Sequence, residues 1–186
     1  MARAFTAAPE IMKELEQDEK ILWMGAPENF PLVNADTKKS LTSRWIGCIV
    51  AAVVLIAAYI VSSAAIHINF WLLIIALAVV AYLAASPLLD RKNVYKGCKY
   101  YVTDRRVLIH YADKEIFSLP LAGVKKNILD AESGCVHVEL GACVGMKAAK
   151  RRAAAFVPKK TDDGETVVGM VLYNVERSDE LIKLFS

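Results

Sequence analysis

Few side chains in this chain have types and spacing suited to chemistry. Cys48, Cys98, Cys135 and Cys143 are spaced singly, with no CxxC pair and no histidine at metal-ligand spacing. That pattern predicts neither a zinc site nor a disulfide framework. The four read as small buried hydrophobes of a reducing compartment. His110 and His137 fall in strand-like runs and read as ordinary strand residues rather than ligands. There is no GxSxG, no HExxH, no glycine-rich phosphate loop, and no Ser, His and Asp grouped in a nucleophile context. Asp162 and Asp163 lie in a glycine-containing turn, an ordinary place for acidic residues. The expectation is a non-enzymatic protein with no catalytic residue, no metal and no cofactor.

Two basic features remain. Lys147, Lys150, Arg151, Arg152, Lys159 and Lys160 form a run with no acidic residue among them. One reading is contact with anionic lipid head groups or a partner, where each charge near a membrane surface contributes about 1 kcal/mol. The other is a solvated loop and strand edge. Nucleic acid is not expected, because only Phe156 interleaves with the run. The second feature is the turn Thr103, Asp104, Arg105 and Arg106. Its arginines could meet a phosphate or a carboxylate bidentately. The reading favoured here is structural, with Arg106 packing and pairing against a neighbouring strand.

These residues need a scaffold, and charge patterning divides it. Hydrophobic residues make up 55% of the 186 and the net charge is only +3. Yet residues 45–89 contain no Lys, Arg, Asp or Glu. A bilayer-spanning helix needs about 20 apolar residues. Residues 45–62 and 68–89 each meet or approach that, separated by a short break at 63–67. A soluble helix keeps a polar face, and neither segment has one. The short break predicts antiparallel neighbours: a transmembrane hairpin. Ala51, Ala52, Ala57 and Ala58 could face Ala76, Ala78, Ala81 and Ala85, since small residues let helices approach closely. The acidic residues Glu10, Glu14, Glu16, Asp18 and Glu19 argue against a cleavable signal, so the hairpin is expected to be a retained anchor. With no ionisable side chain inside it, it reads as an anchor rather than a transporter.

Orientation follows from flanking basic residues. Lys38, Lys39 and Arg44 precede the hairpin, Arg91, Lys92, Lys96 and Lys99 follow it, and the connecting loop has none. Both termini are expected in the cytoplasm of a multi-pass inner (plasma) membrane protein. Trp45 and Tyr82 would lie toward the inner interface, Phe70 and Trp71 toward the outer.

On either side of the hairpin lie a cytoplasmic segment, 1–44, and a domain, 90–186. The first reads as a short helix after Pro9 and a strand over 19–24. The second reads as about seven short strands: 99–102, 106–111, 114–119, 124–129, 135–140, 153–159 and 166–175. A helix follows over 178–185, with Ser178 as N-cap and Leu181, Ile182, Leu184 and Phe185 on one face. Such short strands call for closure into a small barrel or a pair of orthogonal sheets, with the last helix plugging one end.

Three stretches resemble the bacterial pleckstrin-homology-like domains of small membrane proteins. Residues 18–27 (DEKILWMGAP) look like that family's leader before a membrane hairpin, and 101–109 (YVTDRRVLI) like its signature hairpin after it. Residues 171–185 look like its last strand and closing helix; 141–160 departs most. The resemblance covers nearly the full chain in order. It implies a mainly-β pleckstrin-homology-like barrel, closed by a C-terminal helix, on a two-helix transmembrane hairpin. It implies no activity, because such a fold hosts many binding roles. The expected function is a membrane-anchored interaction or scaffold protein at the cytoplasmic face, with the bilayer and another membrane protein as partners. Anionic-lipid-surface sensing through the basic run is the first alternative and a small membrane enzyme the second.

Overall fold

The structure is a computed structural model that describes residues 9–63, 69–112, 115–131, 134–156, 159–160 and 167–186. In chain order the elements begin with α1 (Pro9–Glu14), β1 (Ile21–Gly25), α2 (Ala35–Ser63), α3 (Phe70–Gly97), β2 (Cys98–Thr103) and β3 (Arg106–Tyr111). They continue with β4 (Glu115–Pro120), β5 (Lys126–Asp130), β6 (Cys135–Gly141), α4 (Ala148–Ala154), β7 (Lys159–Lys160), β8 (Val167–Glu176) and α5 (Asp179–Phe185). The chain divides into two compact units, one gathering residues up to Phe30 and from Arg91 onward, the other spanning Pro31–Asp90.

The β-rich unit contains two four-stranded antiparallel sheets, ordered β1-β2-β3-β4 and β5-β6-β8-β7. They are not closed into a barrel. Their inner faces share one core, in which Tyr100, Val102, Val107, Ile109 and Trp23 meet Val138, Leu140, Met170, Leu172 and Val175. Leu181 and Phe185 of α5 enter the same core. Ser178 starts that helix as read, its Oγ accepting the Leu181 N–H at 3.2 Å.

Both outer faces are covered as well. Ile11 of α1 is fully buried against Tyr101 and Leu108 on the first sheet. On the second, Ala154 and Ala155 pack with Val171, Tyr173, Phe30 and Val94. The N-terminal segment therefore divides differently from the reading at residue 44. Its strand pairs directly with β2, Trp23 opposite Val102 and Gly25 opposite Tyr100.

The strand read over 153–159 is a correction. Residues 148–154 (AAKRRAA) form α4 instead. Ala, Lys and Arg are strong helix formers, and an alanine run has little to pack on a pleated surface. Lys159 and Lys160 pair with β8 beyond it. The turn holding Asp162 and Asp163 lies outside the described residues.

In the second unit both helices are long and apolar enough to cross a membrane. Asn34 caps α2 reciprocally with Thr37: Asn34 Oδ1 accepts the Thr37 N–H at 2.9 Å, and Thr37 Oγ1 accepts the Asn34 N–H at 3.2 Å. Pro87 lies inside α3 and supplies no N–H for the Leu83 carbonyl. The Ser86 hydroxyl donates to that carbonyl instead, at 3.0 Å. From Trp45 onward the half-buried positions of α2 are Trp45, Cys48, Ala52, Leu55, Tyr59 and Ser62, alternating three and four apart. That is the seam of a left-handed coil. The alanine pairing read from sequence is met only in part: Ala52, Ala76 and Ala85 are half-buried, whereas Ala51, Ala57, Ala58, Ala78 and Ala81 are exposed. The larger side chains set the seam, because an antiparallel pair buries whichever face its heptad spacing selects.

Candidate functional site

The turn between β2 and β3 is tied to the N-terminal leader. Thr103 Oγ1 accepts the backbone N–H of Arg105 and Arg106, at 3.2 and 2.9 Å, which fixes the turn. The same hydroxyl donates to Glu19 Oε1 at 2.7 Å. Arg106 meets both Glu19 oxygens, Nε at 2.9 Å and Nη2 at 2.8 Å, and Nη2 also donates to the Glu14 carbonyl. The Glu16 N–H completes the carboxylate's set. Asp104 and Lys20 exchange contacts, Lys20 N–H to Asp104 Oδ1 and Asp104 N–H to the Lys20 carbonyl. Arg106, above all, and then the Glu16 and Thr103 donors outweigh burial and hold the Glu19 carboxyl down at about 2. The carboxylate that Arg106 meets precedes β1 rather than lying on a neighbouring strand. Arg105 pairs with Glu16 at the surface, at 2.9 Å.

The basic run is split by its own helix. Lys147 and Lys150 are exposed, whereas Arg151 and Arg152 are only 8% and 4% exposed. Arg151 Nε donates to Glu139 Oε1 at 2.9 Å. Glu139 is fully buried on β6 and also accepts from the Gly145 N–H at 2.9 Å and Asn127 Nδ2 at 3.1 Å. Burial raises its carboxyl, but Arg151, Gly145 and Asn127 together lower it further, and the net shift is downward. The Arg152 guanidinium lies 4.9 Å from the Phe30 ring centre and 5.8 Å from that of Tyr173. These are cation–π distances. Two of the six predicted contact residues thus fasten α4 to the sheet, and two project from it. Lys159 and Lys160 lie on β7; their side chains are outside the described residues.

A third cluster holds the middle of the second sheet. Between Val136 and Val138 the register slips, so that Tyr173 and Asn174 on β8 oppose His137 alone. Asn174 adopts a left-handed conformation, φ +51°, as bulges commonly require. Its N–H donates to His137 Nδ1 at 2.9 Å, and the imidazole stacks on the Tyr173 ring at 4.3 Å. The Tyr173 N–H donates to the Tyr100 hydroxyl at 3.3 Å. The leader passes alongside: the Glu28 N–H donates to the Asn174 carbonyl at 2.7 Å, and Asn174 Nδ2 to the Glu28 carbonyl at 3.1 Å. Nearby, burial pushes the Cys98 thiol up to about 12, which leaves no nucleophilic thiolate at neutral pH. The four cysteines are unbridged.

Glu139, Asn174 and Tyr173 were not singled out from sequence. Glu139 alternates with Val138 and Leu140 and so falls on the face that a two-layer reading leaves to solvent. The signal that could have found it is the AAKRRAA segment read as a covering helix. Among the described residues, no three His, Cys, Asp or Glu are grouped to hold a metal ion. The ionisable groups brought together are spent on fastening segments to one another. Of the basic run, Lys147 at the N-cap of α4 and Lys150 on it face outward. No protein-family model, curated protein or solved structure matches this chain.

Proposed function

We propose that this chain is a non-enzymatic, membrane-tethered interaction module. Its hairpin spans a bacterial inner membrane with both termini in the cytoplasm. The β-rich unit serves there as a pleckstrin-homology-like platform for another membrane protein during assembly of a complex. The observation that carries this reading is exposure of the apolar helices. Their most apolar windows have mean hydropathy 2.5 and are 0% and 6% buried. Core helices of a soluble protein would be covered, and an uncovered apolar surface of this extent calls for lipid. The flanking charges agree, since Lys38, Lys39, Arg44, Lys92 and Lys96 are all exposed. Support for the pleckstrin-homology-like likeness is the pair of antiparallel sheets with α5 inserted between them. Reporter fusions test the topology: a cytosolic reporter should be active at both termini and an extracytoplasmic one in the loop at 64–67. Ends on opposite sides would sink the hairpin. Purification in mild detergent should then recover one near-stoichiometric membrane protein.

A second reading, contact with an anionic lipid surface, is favoured by the outward pair Lys147 and Lys150. Charge reversal must be confined to these two, since Arg151 and Arg152 hold the fold. In nanodiscs, α4 of the full chain should be more protected from hydrogen exchange when anionic lipid is present, and Lys147→Glu with Lys150→Glu should remove the difference. A double variant that keeps the wild-type difference between the two lipid compositions excludes this reading.

A further inference from the structure

The helix pair carries two open apolar grooves on opposite sides of its seam, of about 370 and 420 Å³, sharing Cys48 and Val80. Both volumes fall in the range that holds one small-molecule ligand. They differ in charge. The smaller, lined by Trp45, Ala52, Leu77 and Ala84 among others, contains no ionisable group with a formal charge. The larger runs along Gly47, Ala51, Val80 and Leu83 and ends at Arg44 and Ser86.

The geometry at that end places a cation deliberately. Ser86 Oγ spends its proton on the Leu83 carbonyl left open by Pro87. Its lone pair accepts Arg44 Nη1–H at 3.0 Å, holding the guanidinium across the helix pair at the mouth of the groove. A guanidinium has five N–H donors in a fork that suits phosphate. Residues 37–89 contain no Asp or Glu, and the nearest carboxylate along α3 is that of Asp90, one turn beyond Ser86. Arg44 is exposed, and Lys38 and Lys39 are exposed on the same helix nearer its start.

We infer that this groove is a phospholipid subsite. One acyl chain of an anionic glycerophospholipid lies along Gly47, Ala51, Val80 and Leu83, and its phosphate is bound by Arg44, which Ser86 aims. The inference rests on the membrane reading of the hairpin. It selects a lipid by charge, whereas the smaller groove takes any acyl chain.

The test is native mass spectrometry of the full-length protein in mild detergent, titrated with phosphatidylglycerol or phosphatidylcholine of matched chains. Both lipids carry the phosphate, but the choline ammonium of phosphatidylcholine offsets its charge beside Arg44, so wild type should retain phosphatidylglycerol about tenfold better, a difference comparable to one charge-assisted hydrogen bond. Arg44→Gln should abolish the preference. Ala51→Phe, which fills the groove and keeps the charge, should reduce retention of phosphatidylglycerol. Lys125→Gln, with the same change in net charge at an exposed position elsewhere, should leave the preference intact. Equal retention of the two lipids by wild type, or a preference that survives Arg44→Gln, overturns the subsite. Alkaline extraction of cell membranes separates the two readings. Release of wild type overturns the membrane anchor and the subsite together. Protein that stays in the membrane but shows no lipid preference overturns the subsite alone.

Discussion

Arg106 and Glu19 are joined by two hydrogen bonds, at 2.9 and 2.8 Å, across 87 residues of sequence. The pair ties the acidic leader to the turn that follows the two long apolar helices. These are the two segments whose residues drew attention in the sequence, and they are halves of one contact. The Glu19 side chain is fully buried and that of Arg106 is 19% exposed.

Glu19→Gln should therefore destabilise the protein by about 3 kcal/mol, within the range for breaking a buried ion pair, as read by thermal or denaturant unfolding in detergent. The pH dependence has a defined sign. The carboxyl lies at about 2 when folded, against 4.5 ordinarily. Its stabilisation is complete above the unfolded value and is lost as pH falls from 4.5 toward 2. At full depression the linkage amounts to ~3 kcal/mol. In Glu19→Gln the acid limb of the stability profile should flatten over that window; an unchanged limb would count against the pair.

α4 should separate into two mutational classes. Arg151→Met strands the buried Glu139 carboxylate and should cost about 3–5 kcal/mol. Lys150→Gln should fall within about 0.5 kcal/mol of wild type. Similar melting temperatures for the two variants would contradict the placement of this helix.

Gly169 lies opposite Gly141, where β8 crosses the end of β6. A Cβ at Gly169 would come within 2.7 Å of the Ala142 and Cys143 nitrogens and the Leu140 oxygen, all backbone atoms that cannot swing aside. Gly169→Ala should destabilise by at least about 2 kcal/mol, in the range of overpacked sites. Unfolding midpoints compared with wild type decide this, and an unchanged midpoint would refute the close crossing.

The Tyr173 hydroxyl is buried with no hydrogen-bond partner among the described residues. Removing an unsatisfied buried polar atom is neutral or favourable. Tyr173→Phe should match or exceed wild-type stability by up to about 1–2 kcal/mol, a result opposite to that expected of a ligand-binding hydroxyl. Marked destabilisation in the same unfolding assay would mean that the hydroxyl has a partner.

The sequence by itself determined the elements whose signal is local. The uncharged stretch, the two long apolar helices, the hairpin of β2 and β3 and the capped final helix all follow from composition, periodicity and a single capping side chain. The turn at Thr103–Arg106 was legible too, because the threonine hydroxyl accepts backbone N–H groups two and three residues on. Only the tertiary structure decided what covers each sheet. In a two-layer plan the face of β6 that carries His137 and Glu139, and the basic run that includes Arg152, would be left to solvent. These three residues are buried because α4 and the leader add a further layer, and burial depends on segments distant in sequence. The same holds for the basic run: six cations in a row look alike until a helix turns two of them inward, where a carboxylate and two aromatic rings compensate the loss of water.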